Sequence, residues 1–262
     1  MPAFARDGVE IYYEVKGSGR PLMLVAGLAA DSAFWAPSLD ALSTRYRLIL
    51  PDNRGSGRTT PLDVASTLRD TADDCMALAA HLGIAKVSLA GHSMGGMIVQ
   101  DCAARYPDAV DRIMLASTTP CASARDNDLF STWAALFAAV DRRLWFRNLF
   151  YWVLSPAFFT EGGRVDALVT LAASYPYQQT AAALANQVKA IAGFDARASL
   201  SSIRARALVM AGTLDLLFPI AEAAAFAKSI PHASFAPIDG AAHSFPIEAP
   251  MEFTQRVLDF LG

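Results

Sequence analysis

One six-residue stretch constrains this chain more than any other: Gly91-His92-Ser93-Met94-Gly95-Gly96. It follows the apolar, strand-like run Lys86 to Ala90. It precedes Met94 to Tyr106, which reads as a helix closed by Pro107. A G-x-S-x-G at a strand–turn–helix junction is the arrangement of a nucleophile elbow. A strained turn holds the serine hydroxyl above the sheet edge, beside the free N–H groups of a helix N-terminus. The flanking glycines let such a turn approach neighbouring backbone without Cβ clashes. Ser93 is therefore the candidate nucleophile.

A serine is a poor nucleophile without a base, and the chain offers four histidines. His81 lies in a helix before Gly83, a surface position. His92 adjoins Ser93, and in a tight elbow a neighbour points elsewhere, so it reads as a pocket-wall or packing residue. His232 follows Pro231 in a turn. His243 lies in Gly240-Ala241-Ala242-His243, after the last strand-like run and before the last helix. Loops at the carboxyl ends of strands are where open α/β sheets place their sites, which makes His243 the candidate base. The base needs an acid to fix its tautomer. Asp215 follows the strand-like run Ala207 to Ala211 and is surrounded by Leu214, Leu216, Leu217 and Phe218. An acid among apolar neighbours calls for a partner. Its rival, Asp239, precedes Gly240 and reads as an Asp-Gly turn. The order Ser, acid, His also favours Asp215. An oxyanion hole needs two preorganised N–H donors. Met94, directly after the serine, supplies one. Leu28, in the loop after the early strand-like run, supplies the other, with Gly27 giving backbone room.

The surrounding pattern is βαβα. Strands are expected at Val9 to Val15, Pro21 to Ala26, Tyr46 to Leu50, Lys86 to Ala90 and Arg112 to Ala116. Helices are expected at Ser32 to Ser43, Ser66 to Leu82 and Met94 to Tyr106. The rhythm returns with strands at Ala207 to Ala211 and Ser234 to Ile238, and helices at Ala221 to Ser229 and Met251 to Leu261. Such alternation implies a mostly parallel, twisted sheet with helices on both faces. Between about Thr119 and Leu200 the chain is rich in Ala and aromatic residues and shows no strand pattern. The expected division is a core of residues 1–118 and 201–262, with a helical cap at 119–200 inserted after the sixth strand.

Composition closes off other classes. Basic residues number 22 and acidic 25, a net −3, without the basic excess of a nucleic-acid binder. The mean hydropathy of +0.29 is high. Yet the most aromatic stretch, Phe146 to Phe159, is interrupted by Arg147, Asn148, Ser155 and Pro156, so no membrane span is expected. The N-terminus MPAFARDGVE has no apolar signal-peptide core. Three cysteines without C-x-x-C spacing fit a reducing cytoplasm.

Together these residues resemble the α/β-hydrolase family. Asp52-Asn53-Arg54-Gly55-Ser56-Gly57-Arg58-Thr59 is similar to its D-x-R-G-x-G-x-S loop, with Thr as the final residue. Gly212 to Pro219 is similar to its G-x-x-D-x-x-x-P acid loop. His243 to Pro250 is similar to H-x-x-x-x-E-x-P, with Glu248 and Pro250 in place. One departure is Ala26-Gly27, where the family commonly has His-Gly. The resemblance implies triad roles for Ser93, Asp215 and His243, no cofactor, no metal, and a small-molecule substrate. It is nearest to small carboxylesterases and 3-oxoadipate enol-lactonase-like proteins. The expected activity is hydrolysis of a carboxylic ester of a small or medium apolar substrate through an acyl-enzyme. Alternatives are hydrolysis of an acidic lactone, carbon–carbon bond hydrolysis, or ligand binding without turnover. Specificity is expected in the aromatic insertion, with Gly27, His92, Trp133, Phe137 and Trp152 as substrate contacts. Arg142, Arg143 and Arg147 would offer an anchor for a substrate carboxylate, although such a run is more often a solvated helix face. A monomer and a homodimer are both compatible with the sequence.

Overall fold

The computed structural model describes residues 2–160 and 162–262. The chain runs through β1 (Ala3–Arg6), β2 (Val9–Lys16), β3 (Arg20–Val25), α1 (Ala36–Ser43), β4 (Tyr46–Pro51), α2 (Leu68–His81), β5 (Val87–His92), α3 (Met94–Arg105) and β6 (Val110–Ala116). Among the described residues there follow α4 (Ala124–Ala139), α5 (Arg142–Val153), α6 (Pro156–Thr160), α7 (Arg164–Ala173) and α8 (Ala181–Ala192). The chain then returns through β7 (Arg206–Gly212), α9 (Ile220–Lys228), β8 (Ala233–Ile238), α10 (Phe245–Glu248) and α11 (Pro250–Leu261).

Among the described residues eight strands form one sheet, in the order β1-β2-β4-β3-β5-β6-β7-β8. From β4 to β8 neighbouring strands are parallel; β1 and β2 are antiparallel. Side chains alternate across each strand, which splits the core in two. Met23 and Val25 of β3 face a cluster shared with α2, α3 and α9. Leu22 and Leu24 face the opposite cluster, built with Leu39 and Leu42 of α1 and Phe253 and Val257 of α11. This is the doubly covered, mostly parallel α/β sheet that the alternating runs imply.

Two differences from the sequence expectation have local causes. The expected helix from Ser32 to Ser43 divides into a 3₁₀ turn, Ser32–Trp35, and α1. Pro37 lies in the first turn of α1, where its missing N–H is tolerated, but inside one continuous helix it would remove a hydrogen bond. Strand β1 is short and lies at the sheet edge, and it was not expected. It pairs with β2 through Asp7-Gly8, both at positive φ (49° and 74°), the hairpin conformation that Asp-Gly favours.

The carboxyl end of α11 is tied to the amino ends of the strands. Arg20, at the start of β3, donates to the carbonyls of Leu261 and Gly262. Arg112 of β6 donates to those of Phe260 and Leu261. No helix among the described residues is long and apolar enough to cross a membrane.

Candidate active site

Ser93 sits between β5 and α3 with φ 55° and ψ −119°, a conformation that a non-glycine residue holds only when its surroundings enforce it. Those surroundings are visible. The Ser93 N–H donates to Ala116 O (2.9 Å), and Thr118 Oγ1 donates to Ser93 O (2.7 Å). Gly91 and Gly95 explain how the turn can be so tight. A Cβ on Gly95 would overlap the Val25 carbonyl of β3, and one on Gly91 would overlap Gly95.

His243 follows β8, and Asp215 follows β7. His243 Nδ1 lies 3.0 Å and 3.2 Å from the two Asp215 oxygens, and both side chains are buried. Asp215 Oδ1 also accepts from the N–H groups of Leu217 (2.9 Å) and Phe218 (3.0 Å). Burial pushes the Asp215 carboxyl up. The His243 charge, its hydrogen bond and the two backbone donors outweigh that and hold it below the usual carboxylate range. The His243 loop is itself braced. Glu248 accepts from Ala242 N and from Ser155 N, both at 2.9 Å, and Ser244 N donates to Val153 O (2.8 Å).

Ser93 and His243 line one cavity of about 350 Å³. No hydrogen bond joins them among the described residues; such contacts often tighten only when substrate binds. Leu28 and Met94 line the same cavity, and their N–H groups have no protein acceptor among the described residues. Asn53 Nδ2 donates to Ala26 O (2.9 Å) and pins the start of the Leu28 loop.

His92 is buried. Its Nε2 lies 2.9 Å from the His243 carbonyl oxygen, so this nitrogen carries the proton and donates. Nδ1 has no partner among the described residues and faces Gly27. Burial, then the His243 charge, push its pKa down to about 3.

The rest of the cavity wall is mostly apolar. Phe130, Trp133 and Phe137 come from α4, and Trp145, Phe146 and Phe150 from α5. Gly27 and His92 also line it, but Trp152 does not. The face of α5 that meets the cavity runs through Phe146, Leu149, Phe150 and Val153, at helical spacing. Trp152, two turns beyond Trp145 on the same helix, packs half-buried against the core and Tyr151 instead.

The arginine cluster is likewise elsewhere. Arg142 stacks on the Phe137 ring at 3.5 Å, Arg143 donates to Thr170, and Arg147 pairs with Asp166. Among the described residues no Lys or Arg lines the cavity, and its one carboxylate is Asp31. Burial, then the Asp52 charge, raise the Asp31 carboxyl, although Tyr175 donates to it. The remaining candidates are placed away from the site: His81, His232 and Asp239 are exposed, and Asp239-Gly240 forms a turn.

Sequence reasoning missed Asn53, Glu248 and Gln187 as supports. Asn53 and Glu248 stand inside motifs that drew attention for other reasons. Gln187 lies in α8, and nothing near it in sequence marks its role.

Comparison with known proteins agrees with this fold. Residues 20–250 match the model of the alpha/beta hydrolase fold. A putative carbamate hydrolase RutD from Rhizobium rhizogenes is 30% identical over 259 residues, covering 96% of this chain and 97% of its own. The enol-lactonase from Burkholderia xenovorans superposes with a TM-score of 0.90 at 25% identity, covering 99% of each chain. A thermophilic esterase from Thermogutta terrifontis gives a TM-score of 0.87 at 26% identity, with 99% of this chain and 96% of that one covered.

Proposed function

We infer, from the premise that this chain belongs to the alpha/beta hydrolase fold family, that it is a serine hydrolase cleaving carboxylic esters of small or medium apolar acyl groups. The observation that carries the reading is the buried Asp215–His243 pair sharing an aromatic cavity, without Lys or Arg among the described residues, with the strained Ser93 elbow.

In this reading Ser93 Oγ attacks the ester carbonyl while His243 Nε2 takes its proton. Asp215 holds Nδ1 protonated and stabilises the imidazolium. The N–H groups of Leu28 and Met94 receive the oxyanion. His243 returns the proton to the leaving alcohol, then activates water to release the acyl group. The helices between β6 and β7 act as a cap, with Trp133 and Phe137 against the substrate. A lactone is a cyclic ester and follows the same path. The relatives' names add carbamates, whose acyl carbon is attacked in the same way. The lack of a lining Lys or Arg among the described residues weighs against an acidic lactone.

The test is hydrolysis of p-nitrophenyl esters from acetate to dodecanoate, beside lactones and carbamates, with Ser93→Ala as the blank. Turnover should peak at short or medium chains and vanish in Ser93→Ala. Asp215→Asn should lower kcat by up to about 10⁴-fold. Near-wild-type activity in Ser93→Ala would overturn the nucleophile. Inert esters beside an active carbamate would move the substrate to that class.

A further inference from the structure

The loop that carries Leu28 cannot hold itself. From Ala26 to Ala30 its side chains contain no polar group, and Asp31, the first that has one, accepts from Ala33 N further on. Within it Ala29 is fixed at φ 59°, in the left-handed region where an alanine is strained. Its shape must therefore be enforced from outside. Asn53 does this at the Ala26 end. At the Ala29 end the support comes from α8, more than 150 residues later in the chain.

There Gln187, buried at 5% exposure, bridges two loops of the sheet domain and Gln179 of the insertion. Its Oε1 accepts from the Ala29 N–H in a long contact of 3.5 Å, and from Gln179 Nε2 at 2.9 Å. Its Nε2 donates to Arg54 O and to Ser56 Oγ, each at 2.8 Å. Gln179 also donates to Gly55 O. A glutamine with both amide atoms engaged cannot rotate without breaking several bonds and leaving buried groups unpaired. It thus transmits the position of α8 to the strained end of the Leu28 loop.

We propose that Gln187 is a positioning residue for the oxyanion-binding loop, so that a seated cap is what completes the hole; this rests on the serine-hydrolase reading above. Gln187 does not touch the reacting atoms. It fixes Ala29, and Ala29 fixes where the Leu28 N–H points. Because the oxyanion develops only in the transition state, losing this support should lower kcat and leave KM nearly unchanged.

The experiment measures p-nitrophenyl butyrate hydrolysis and the rate of Ser93 phosphonylation by a fluorophosphonate, both per titrated active site. The chains are wild type, Gln187→Leu and Gln179→Ala, with Tm recorded for each. Removing an oxyanion donor outright costs about 10²–10³-fold, so misplacing one in Gln187→Leu should cost about tenfold in kcat. KM should stay within about twofold, and phosphonylation should slow in parallel. Gln179→Ala, which removes one brace of Gln187, should show the same split at about threefold.

A role confined to stability would lower Tm and the number of titratable sites but not the rate per site, and that outcome would overturn the proposal. So would a loss appearing only in KM. If Gln187→Leu does not fold, an unchanged rate per site in Gln179→Ala overturns it instead. Failure of the wild-type chain to be labelled at Ser93 would refute the nucleophile assignment and this role together. Labelling at full rate in Gln187→Leu would refute this role alone.

Discussion

At the scale of single residues, the site depends on groups held where they would not go freely. Ser93 and Ala29 both hold positive φ, and His92 is held neutral by burial, with a pKa near 3 against an ordinary 6.5. This has a consequence for pH. Between about 6.5 and 3 the unfolded chain binds a proton at His92 that the native chain refuses. The unfolded state therefore gains on acidification, and stability falls as pH drops through that window. Asp215, whose carboxyl is held low, adds a loss of the same sign, but only below the usual carboxylate range. Thermal unfolding followed from about pH 7 to 5 should show Tm falling. His92→Gln should start lower, having lost its fit, and show a flatter slope. Parallel slopes would refute the assignment. Ser93, Asp215 and His243 were legible because each sits in a short local pattern and their order along the chain is informative. Gln187 was not, because its partners Ala29, Arg54 and Ser56 lie more than 130 residues away.

At the scale of elements, the layered fold was legible from apolar periodicity, since a strand buried on both faces and an amphipathic helix leave different spacings. Boundaries and short pieces were harder. Residues 3–6 and 245–248 are too brief to show a period, although the Asp7-Gly8 hairpin turn was a usable clue. Trp152 illustrates another limit. An aromatic residue in the insertion can pack the helices together or line the cavity, and its neighbours in the folded chain decide which. The layer under α11 gives a quantitative test. Phe253 is fully buried, with its ring 5.6 Å from Trp35 and 6.1 Å from Phe245. Phe253→Ala should destabilise by about 3–5 kcal/mol, read from urea unfolding. A change below about 1 kcal/mol would mean that the face can collapse and refill the space.

At the scale of the whole molecule, loops of the sheet carry Ser93, Asp215 and His243, and the insertion carries most of the aromatic walls. Those walls carry no cation among the described residues, and Asp31 stands at the cavity. A carboxylate-bearing substrate would have to bury an unpaired charge. Mono-p-nitrophenyl succinate should therefore be a poorer substrate than p-nitrophenyl butyrate by at least ~100-fold in kcat/KM, a difference of about 3 kcal/mol. Equal use of the two would overturn the apolar-substrate reading. The sequence could not settle this point: Arg142, Arg143 and Arg147 are adjacent to the aromatic positions in the chain, yet they point to other partners.

The anchoring of α11 bears on how the protein can be handled. Arg20 and Arg112 pin its carboxyl end beside the amino ends of β3 and β6, whereas Ser93 and His243 follow the carboxyl ends of β5 and β8. A bead or electrode grafted at that end of the helix would therefore grip the pole opposite Ser93 and His243 and leave the cavity they line clear of the support. The same graft would strain the two arginine clamps before it reached any residue of the site.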